Sequence, residues 1–369
     1  MYLPAEKTKK FIPYQPIQGE YRVRLDANES FLLPTEEDRI AMAAAAANVD
    51  FNRYPDPMAA GLCADFAELY GISPEYVTAG NGSDELISII HYALLEKGEK
   101  VLTLTPDFSM YAFYSSIAET ECISLSKRED MTVDVDLVLD TIKKEKIRMV
   151  IFSNPCNPTS LGLAADDVRR LITGTDALVV VDEAYMDFWD QSLIKEAHEY
   201  QNLILLRTCS KALGLAALRV GFAVANKTLT GILKAAKSPY NVNAVSQEMA
   251  RVVLKNPLYR TVYTEILITS RNMLIDGLRR LESQRLIEKV YESRTNFAFI
   301  KLQDSEEVFK FLFDNGIIVR NIGKNHLRIT AGREEENKEV ISAIAAYLCK
   351  KRGVDCYEDR CLFAKNQGN

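Results

Sequence analysis

Leu178-Val-Val-Val-Asp-Glu-Ala-Tyr185 and Leu203-Ile-Leu-Leu-Arg-Thr-Cys-Ser-Lys211 are the two stretches on which the fold is read. Each opens on four consecutive apolar residues and then breaks abruptly into polar ones. Val101-Leu-Thr-Leu104 and Met149-Val-Ile-Phe152 repeat the pattern. Runs this short, rich in Val, Ile and Leu, fit strands buried on both faces better than buried helix segments. Helical patterns follow most of them, so the chain reads as successive strand–helix–strand units with helices on both sides of a mainly parallel sheet.

Working outward, this alternation begins at about Asn52. From about Thr264 a long helical pattern leads into a different region. There Asn296–Leu302, Gly316–Arg320 and Leu327–Thr330 look like strands between amphipathic helices. The expectation is an α/β protein: a three-layer α/β/α large domain over residues 46–265, plus a smaller α+β domain. Residues 266–369 form that second unit together with an N-terminal arm, residues 1–45. The last stretch, 353–369, has no periodicity and reads as a loose tail.

Composition limits the function. A length of 369 residues suits two domains, and 47% hydrophobic with 26% charged residues is ordinary for a globular protein. The net charge of -6, with both signs interspersed, argues against a nucleic-acid or anionic membrane partner. No apolar run approaches the ~18 residues a membrane span needs. The start, Met1-Tyr-Leu-Pro-Ala-Glu-Lys, has no signal-like core. Seven scattered cysteines without a CxxC pair read as reduced thiols, and three histidines widely separated in sequence argue against a zinc site, so no metal is expected. The cytoplasm is the simplest address.

In parallel sheets ligands gather at the carboxyl ends of the strands. Asp182 directly follows one run, where a carboxylate is costly unless paired. Tyr185 is three residues on. Lys211 lies just past the next run in a small-residue turn, with Thr208 and Ser210 before it and Arg219 eight residues after. An arginine with two hydroxyls makes a phosphate clamp. Gly80-Asn-Gly-Ser-Asp-Glu85 opens a helix whose exposed N–H groups make a second anion site, through Ser83 and Asp84. Asn157, in Asn154-Pro-Cys-Asn-Pro-Thr159, follows another run. Taken singly, Asp182 is as readily a helix cap, Lys211 a surface lysine, and the other two segments a capped helix start and a turn. Together they supply the four groups that pyridoxal phosphate (PLP) chemistry needs: an amine, a carboxylate for the ring nitrogen, donors for the ring oxygen and an anion site.

The ordered set of segments resembles the histidinol-phosphate aminotransferase group of fold-type I PLP enzymes. The matching stretches are Ile12–Gln15, Leu25–Glu29, Arg53–Pro55, Ala79–Glu85, Asn157–Thr159, Asp182–Tyr185, Ser210–Ala212 and Leu327–Thr330. The resemblance implies that Lys211 carries the cofactor and moves the proton between substrate and cofactor. It implies that Asp182 pairs the ring nitrogen, that Asn157 and Tyr185 hold the ring oxygen, and that Phe108 stacks on the ring. Ser83, Asp84, Thr208, Ser210 and Arg219 would hold the phosphate, joined by Tyr54 from the partner of a homodimer. Tyr14, Asn28, Tyr240, Arg320 and Arg328 would surround the substrate, with Arg328 on its carboxylate. The implied reaction is transamination between an amino donor, histidinol phosphate above all, and the 2-oxo acid 2-oxoglutarate.

Three positions depart from the group's pattern: Ser160 where Gly usually follows Asn-Pro-Thr, Ala217 where Gly is common, and Phe108 for a frequent tyrosine. Alternatives within the fold are a threonine-phosphate-type decarboxylase and an aromatic or broad-specificity aminotransferase. A non-catalytic binding module would lack Lys211 or carry a basic DNA-binding extension. This chain does neither.

Overall fold

The structure is a computed structural model and describes residues 2–3, 5–11, 13, 17 and 19–353. In chain order the first half holds β1 (Val23–Arg24), α1 (Glu36–Ala47), α2 (Ala60–Tyr70), β2 (Val77–Gly80) and α3 (Ser83–Leu94). Next come β3 (Lys100–Thr105), α4 (Met110–Ala118), β4 (Glu121–Ser126), α5 (Val135–Glu145), β5 (Met149–Ser153) and α6 (Ala165–Thr173). They are followed by β6 (Leu178–Asp182), β7 (Leu203–Thr208), β8 (Gly221–Ala225), α7 (Lys227–Ala236) and α8 (Ala244–Leu254). The remainder is α9 (Val262–Ser283), β9 (Lys289–Val290), β10 (Phe297–Lys301), α10 (Ser305–Asp314), β11 (Ile317–Ile318), β12 (Arg320–Gly323), β13 (His326–Thr330) and α11 (Glu334–Arg352).

The large sheet has the order β2-β8-β7-β6-β5-β3-β4. Strands β3 to β7 are mutually parallel, while β8 runs antiparallel to both β7 and β2. Alternate residues of each strand enter different cores. Val179, Val181, Leu203 and Leu205 pack into one layer with α2 and α6, through Phe66 and Leu171. Val180, Ile204 and Leu206 pack into the other with α3, through Ile87 and Ile90. A strand buried on both faces has no polar alternation to show, which is why these runs read as continuously apolar.

A second, antiparallel sheet has the order β12-β13-β10-β9. Ala298, Ile300, Leu327 and Ile329 pack there against Leu274, Leu278 and Leu281 of α9 and Ile341, Ile344 and Leu348 of α11. Strand β1 pairs in parallel with β11, which ties the N-terminal segment to this unit.

Helix starts follow local chemistry. The side chains of Thr35, Asp134, Asn226 and Asn243 accept the N–H of Asp38, Leu137, Leu229 and Ser246, capping α1, α5, α7 and α8. The start of α3 is different: its cap is Gly82, at φ +82°, which offers no side chain. Among the described residues no helix is long and apolar enough to cross a membrane, and no cluster of His, Cys, Asp and Glu suits a metal ion. Cys63, Cys122, Cys156 and Cys209 are free, as expected, but Cys349 is disulfide-bonded, against the expectation of reduced thiols throughout.

Candidate active site

The carboxyl ends of β2, β3, β5, β6 and β7 lie along one edge of the large sheet, and five of the segments singled out in the sequence follow them directly. Asp182 is the last residue of β6 and is buried. Its Oδ2 accepts the Tyr111 hydroxyl at 2.9 Å and its Oδ1 accepts the Ala184 N–H at 3.1 Å. Burial pushes its carboxyl up to about 7, opposed by those two donors. Among the described residues no cation pairs with it. A buried carboxylate with two neutral donors and no cation suits a protonated ring nitrogen.

Lys211 stands just past β7. Its Nζ donates to the carbonyl of Ala27 at 3.1 Å and lies 5.8 Å from the centre of the Tyr185 ring. Desolvation lowers its amine to about 8, and the Arg328 guanidinium adds to the shift. Such a lysine holds a useful fraction of free amine near neutrality, which a nucleophile and proton carrier needs.

Tyr185 is buried, and its hydroxyl accepts Asn28 Nδ2 at 2.8 Å. Burial raises that phenol to about 12, so it stays protonated and keeps a hydrogen to donate. Asn28, in the left-handed region at φ +54°, is fixed in turn by the Thr330 hydroxyl. Arg328, on β13, donates through Nη1 to Asn157 Oδ1 at 2.5 Å and through Nη2 to the Asp26 carbonyl. Its guanidinium sits 5.5 Å from the Phe297 ring centre. Arg320 is its register partner across β12 and β13, so the two arginines start from opposed positions. Phe108 meets Tyr111 edge to face at 5.6 Å.

The anion cradle is built by glycines. A Cβ on Gly221 would lie 2.3 Å from the Ser83 nitrogen, and one on Gly82 would lie 2.6 Å from Arg219 Nη2. Only glycine lets β8 and the arginine come this close to the uncapped start of α3. Arg219 Nη1 reaches Ser210 Oγ at 3.4 Å and its Nη2 lies 3.5 Å from Asp84 Oδ2. The Thr208 hydroxyl donates to Ser210 Oγ at 3.0 Å. Open helix N–H groups, two hydroxyls and a guanidinium form a phosphate-shaped set.

Tyr54 and Tyr240 stack on one another at 4.6 Å, with Tyr54 82% exposed. Among the described residues, no hydrogen bond or ring contact joins this pair to Lys211 or Asp182. Tyr14 lies outside the described residues. Sequence reading missed Tyr111, whose partner becomes visible only once β3 is placed two strands from β6. It also missed the backbone carbonyls of Asp26 and Ala27, which no side-chain pattern signals.

This sheet order, with a lysine and a carboxylate at adjacent strand ends, is the architecture of fold-type I PLP transferases. The family model for aminotransferase class I and II matches residues 22–344, and the chain belongs to that family. It is 39% identical over 347 residues to a histidinol-phosphate aminotransferase of Clostridium kluyveri, covering 93% of this chain and 98% of the relative. It is 39% identical over 340 residues to that of Clostridium novyi, covering 91% and 94%. The crystal structure of the Sinorhizobium meliloti histidinol-phosphate aminotransferase in complex with pyridoxal-5'-phosphate superposes with a TM-score of 0.82. There the sequences are 22% identical, and 90% of this chain and 92% of that one are covered.

Proposed function

We propose that this aminotransferase binds PLP at the strand-end site and exchanges an amino group between histidinol phosphate and 2-oxoglutarate, in histidine biosynthesis. The observation that carries the reading is the pairing of Arg320 with Arg328 on neighbouring strands. It offers two guanidiniums to a substrate set in which phosphate and carboxylate alternate. The relatives named above support the same substrate.

PLP, when bound, supplies an aldehyde for the amino group and a ring that accepts electrons from the substrate carbon. Asp182 holds the positive charge at the ring nitrogen. Asn157 and Tyr185 would hold the ring oxygen, and Phe108 would pack on the ring. Ser83, Asp84, Thr208, Ser210 and Arg219 grip the phosphate. Lys211 would hold the cofactor through its amine, and the same Nζ is placed to take up and return the substrate's proton. Arg328 orients the carboxylate, bidentate for a 2-oxo acid. Asn28, Tyr240 and Arg320, with Tyr14, surround the substrate.

The working form is a homodimer in which Tyr54 reaches the partner's phosphate site. The exposed apolar residues Leu33, Ile40, Phe51, Tyr54 and Met58 supply a surface for that contact. The functional units are 46–265 and 1–45 with 266–369; a cytoplasmic address fits the free Cys63, Cys122, Cys156 and Cys209 among the described residues, though the disulfide at Cys349 runs against it. The deciding experiment is a half-reaction panel with histidinol phosphate, glutamate, phenylalanine, tyrosine and threonine phosphate, followed by absorbance. Histidinol phosphate and glutamate are expected to convert the cofactor to its amine form. Carbon dioxide release from threonine phosphate without an oxo acid, or conversion by phenylalanine alone, would overturn the assignment.

A further inference from the structure

Beside the site, and used by none of the steps above, is a buried cluster at the ends of β3, β4 and β5. Lys127 follows β4 with its side chain 3% exposed. Its Nζ is 2.8 Å from Cys156 Sγ, 2.8 Å from the Pro106 carbonyl it donates to, and 3.8 Å from Asp107 Oδ2. Cys156 is itself 3% exposed and free. A cavity of about 240 Å³ lies beside the cluster, with Leu104, Leu125, Lys127 and Val138, but not Cys156, among its lining residues. It is several times the volume of one water, so a small oxidant fits.

An amine this close to a thiol, both walled off from bulk water, is arranged for a bond between them. We propose that Cys156 and Lys127 form a reversible sulfur–nitrogen cross-link when the protein meets hydrogen peroxide. The Cys156 thiolate attacks one peroxide oxygen; the S–O bond forms, the O–O bond breaks, and hydroxide leaves. That hydroxide takes a proton from the Lys127 ammonium and becomes water. The free amine then displaces water from the sulfenic acid, as backbone nitrogen does in known sulfenamides. Sulfur loses two electrons, peroxide gains them, and two waters leave in all. Two equivalents of an external thiol reverse the link and become a disulfide.

The link acts on the neighbouring site. Cys156 immediately precedes Asn157, whose N–H donates to Ser153 Oγ at 3.1 Å, while Ser153 and the N–H of Phe108 both bond Asp107. Drawing Sγ onto Nζ shifts the loop that presents Asn157, so the cross-link is an oxidative brake on the enzyme.

The test uses holoenzyme treated with hydrogen peroxide, digested and weighed. The expected product joins the peptides holding Lys127 and Cys156, two hydrogens lighter than their sum. Cleavage after Lys127 is lost, and dithiothreitol restores both peptides. Activity is expected to fall in step with the linked fraction and to return with thiol. The Lys127→Arg variant should stop at the sulfenic acid, which dimedone tags on Cys156. If that variant fails to fold, the wild-type masses still decide. An unlinked or unmodified Cys156 under oxidation of other cysteines overturns the proposal. A complete link that leaves activity unchanged overturns the brake.

Discussion

The 2.9 Å contact between Tyr111 and Asp182 stabilises the carboxylate form, against a burial that holds that carboxyl at about 7. Removing the donor in Tyr111→Phe raises the midpoint further. As pH falls, the Asp182 carboxylate is then neutralised at a higher pH, and its pairing with a protonated ring nitrogen is lost there. Cofactor affinity at pH 7 is expected to weaken by about tenfold, as a loss of about 1.4 kcal/mol of carboxylate stabilisation would give, measured by titrating apoenzyme with PLP. An unchanged affinity and pH profile would remove Tyr111 from the site. Lys211 carries the opposite sign: its amine is lowered to about 8, so free amine accumulates as pH rises through that value. The rate at which apoenzyme captures PLP is expected to climb across this range, and Lys211→Ala should capture none that borohydride can fix. Ser160 shows how a departure from a family pattern is accommodated. Its φ is +63°, the left-handed region that glycine favours, and its hydroxyl donates to the Glu292 carbonyl at 2.6 Å. The sequence marks the substitution but not the compensating bond.

At the scale of elements, the ends of β6 and β7 are fixed from the face opposite Asp182. Arg207 is buried and pairs Glu183 at 2.9 Å and Asp187 at 3.0 Å, with its guanidinium 4.9 Å from the Tyr70 ring centre. Glu183→Gln strands part of this buried charge and is expected to cost about 3 kcal/mol in denaturant unfolding. A loss well below that would mean water compensates. Gly221→Ala tests the other boundary, where β8 meets the start of α3. The added methyl has to push the Ser83 amide away, so cofactor affinity is expected to fall more than Lys211 reactivity does. The strands themselves were legible because both-face burial writes continuous apolar runs. The two-residue β1 was not, since its pairing depends on a partner nearly 300 residues away, whereas that partner, β11, lies inside the expected strand Gly316–Arg320.

For the whole molecule, the proposed homodimer is tested at the exposed stack of Tyr54 on Tyr240. Sedimentation is expected to give a dimer, and Tyr54→Ala to weaken PLP binding while leaving the fold intact. A monomer with full cofactor affinity would contradict the shared site. The two sheets meet at the site through the segment from Asp26 to Asn28, whose backbone and side chain serve Lys211, Arg328 and Tyr185 together.

The sequence by itself determined the strand–helix alternation and the lysine, carboxylate and glycines at strand ends. These follow from local patterns: burial period, turn chemistry and the cost of a charge in apolar surroundings. Only the tertiary structure decided that Tyr111 donates to Asp182 and that Arg328 bonds Asn157. It alone brought Lys127 beside Cys156. Each of these contacts joins residues on different elements, and sheet order and register, rather than any local signal, set the distance between them.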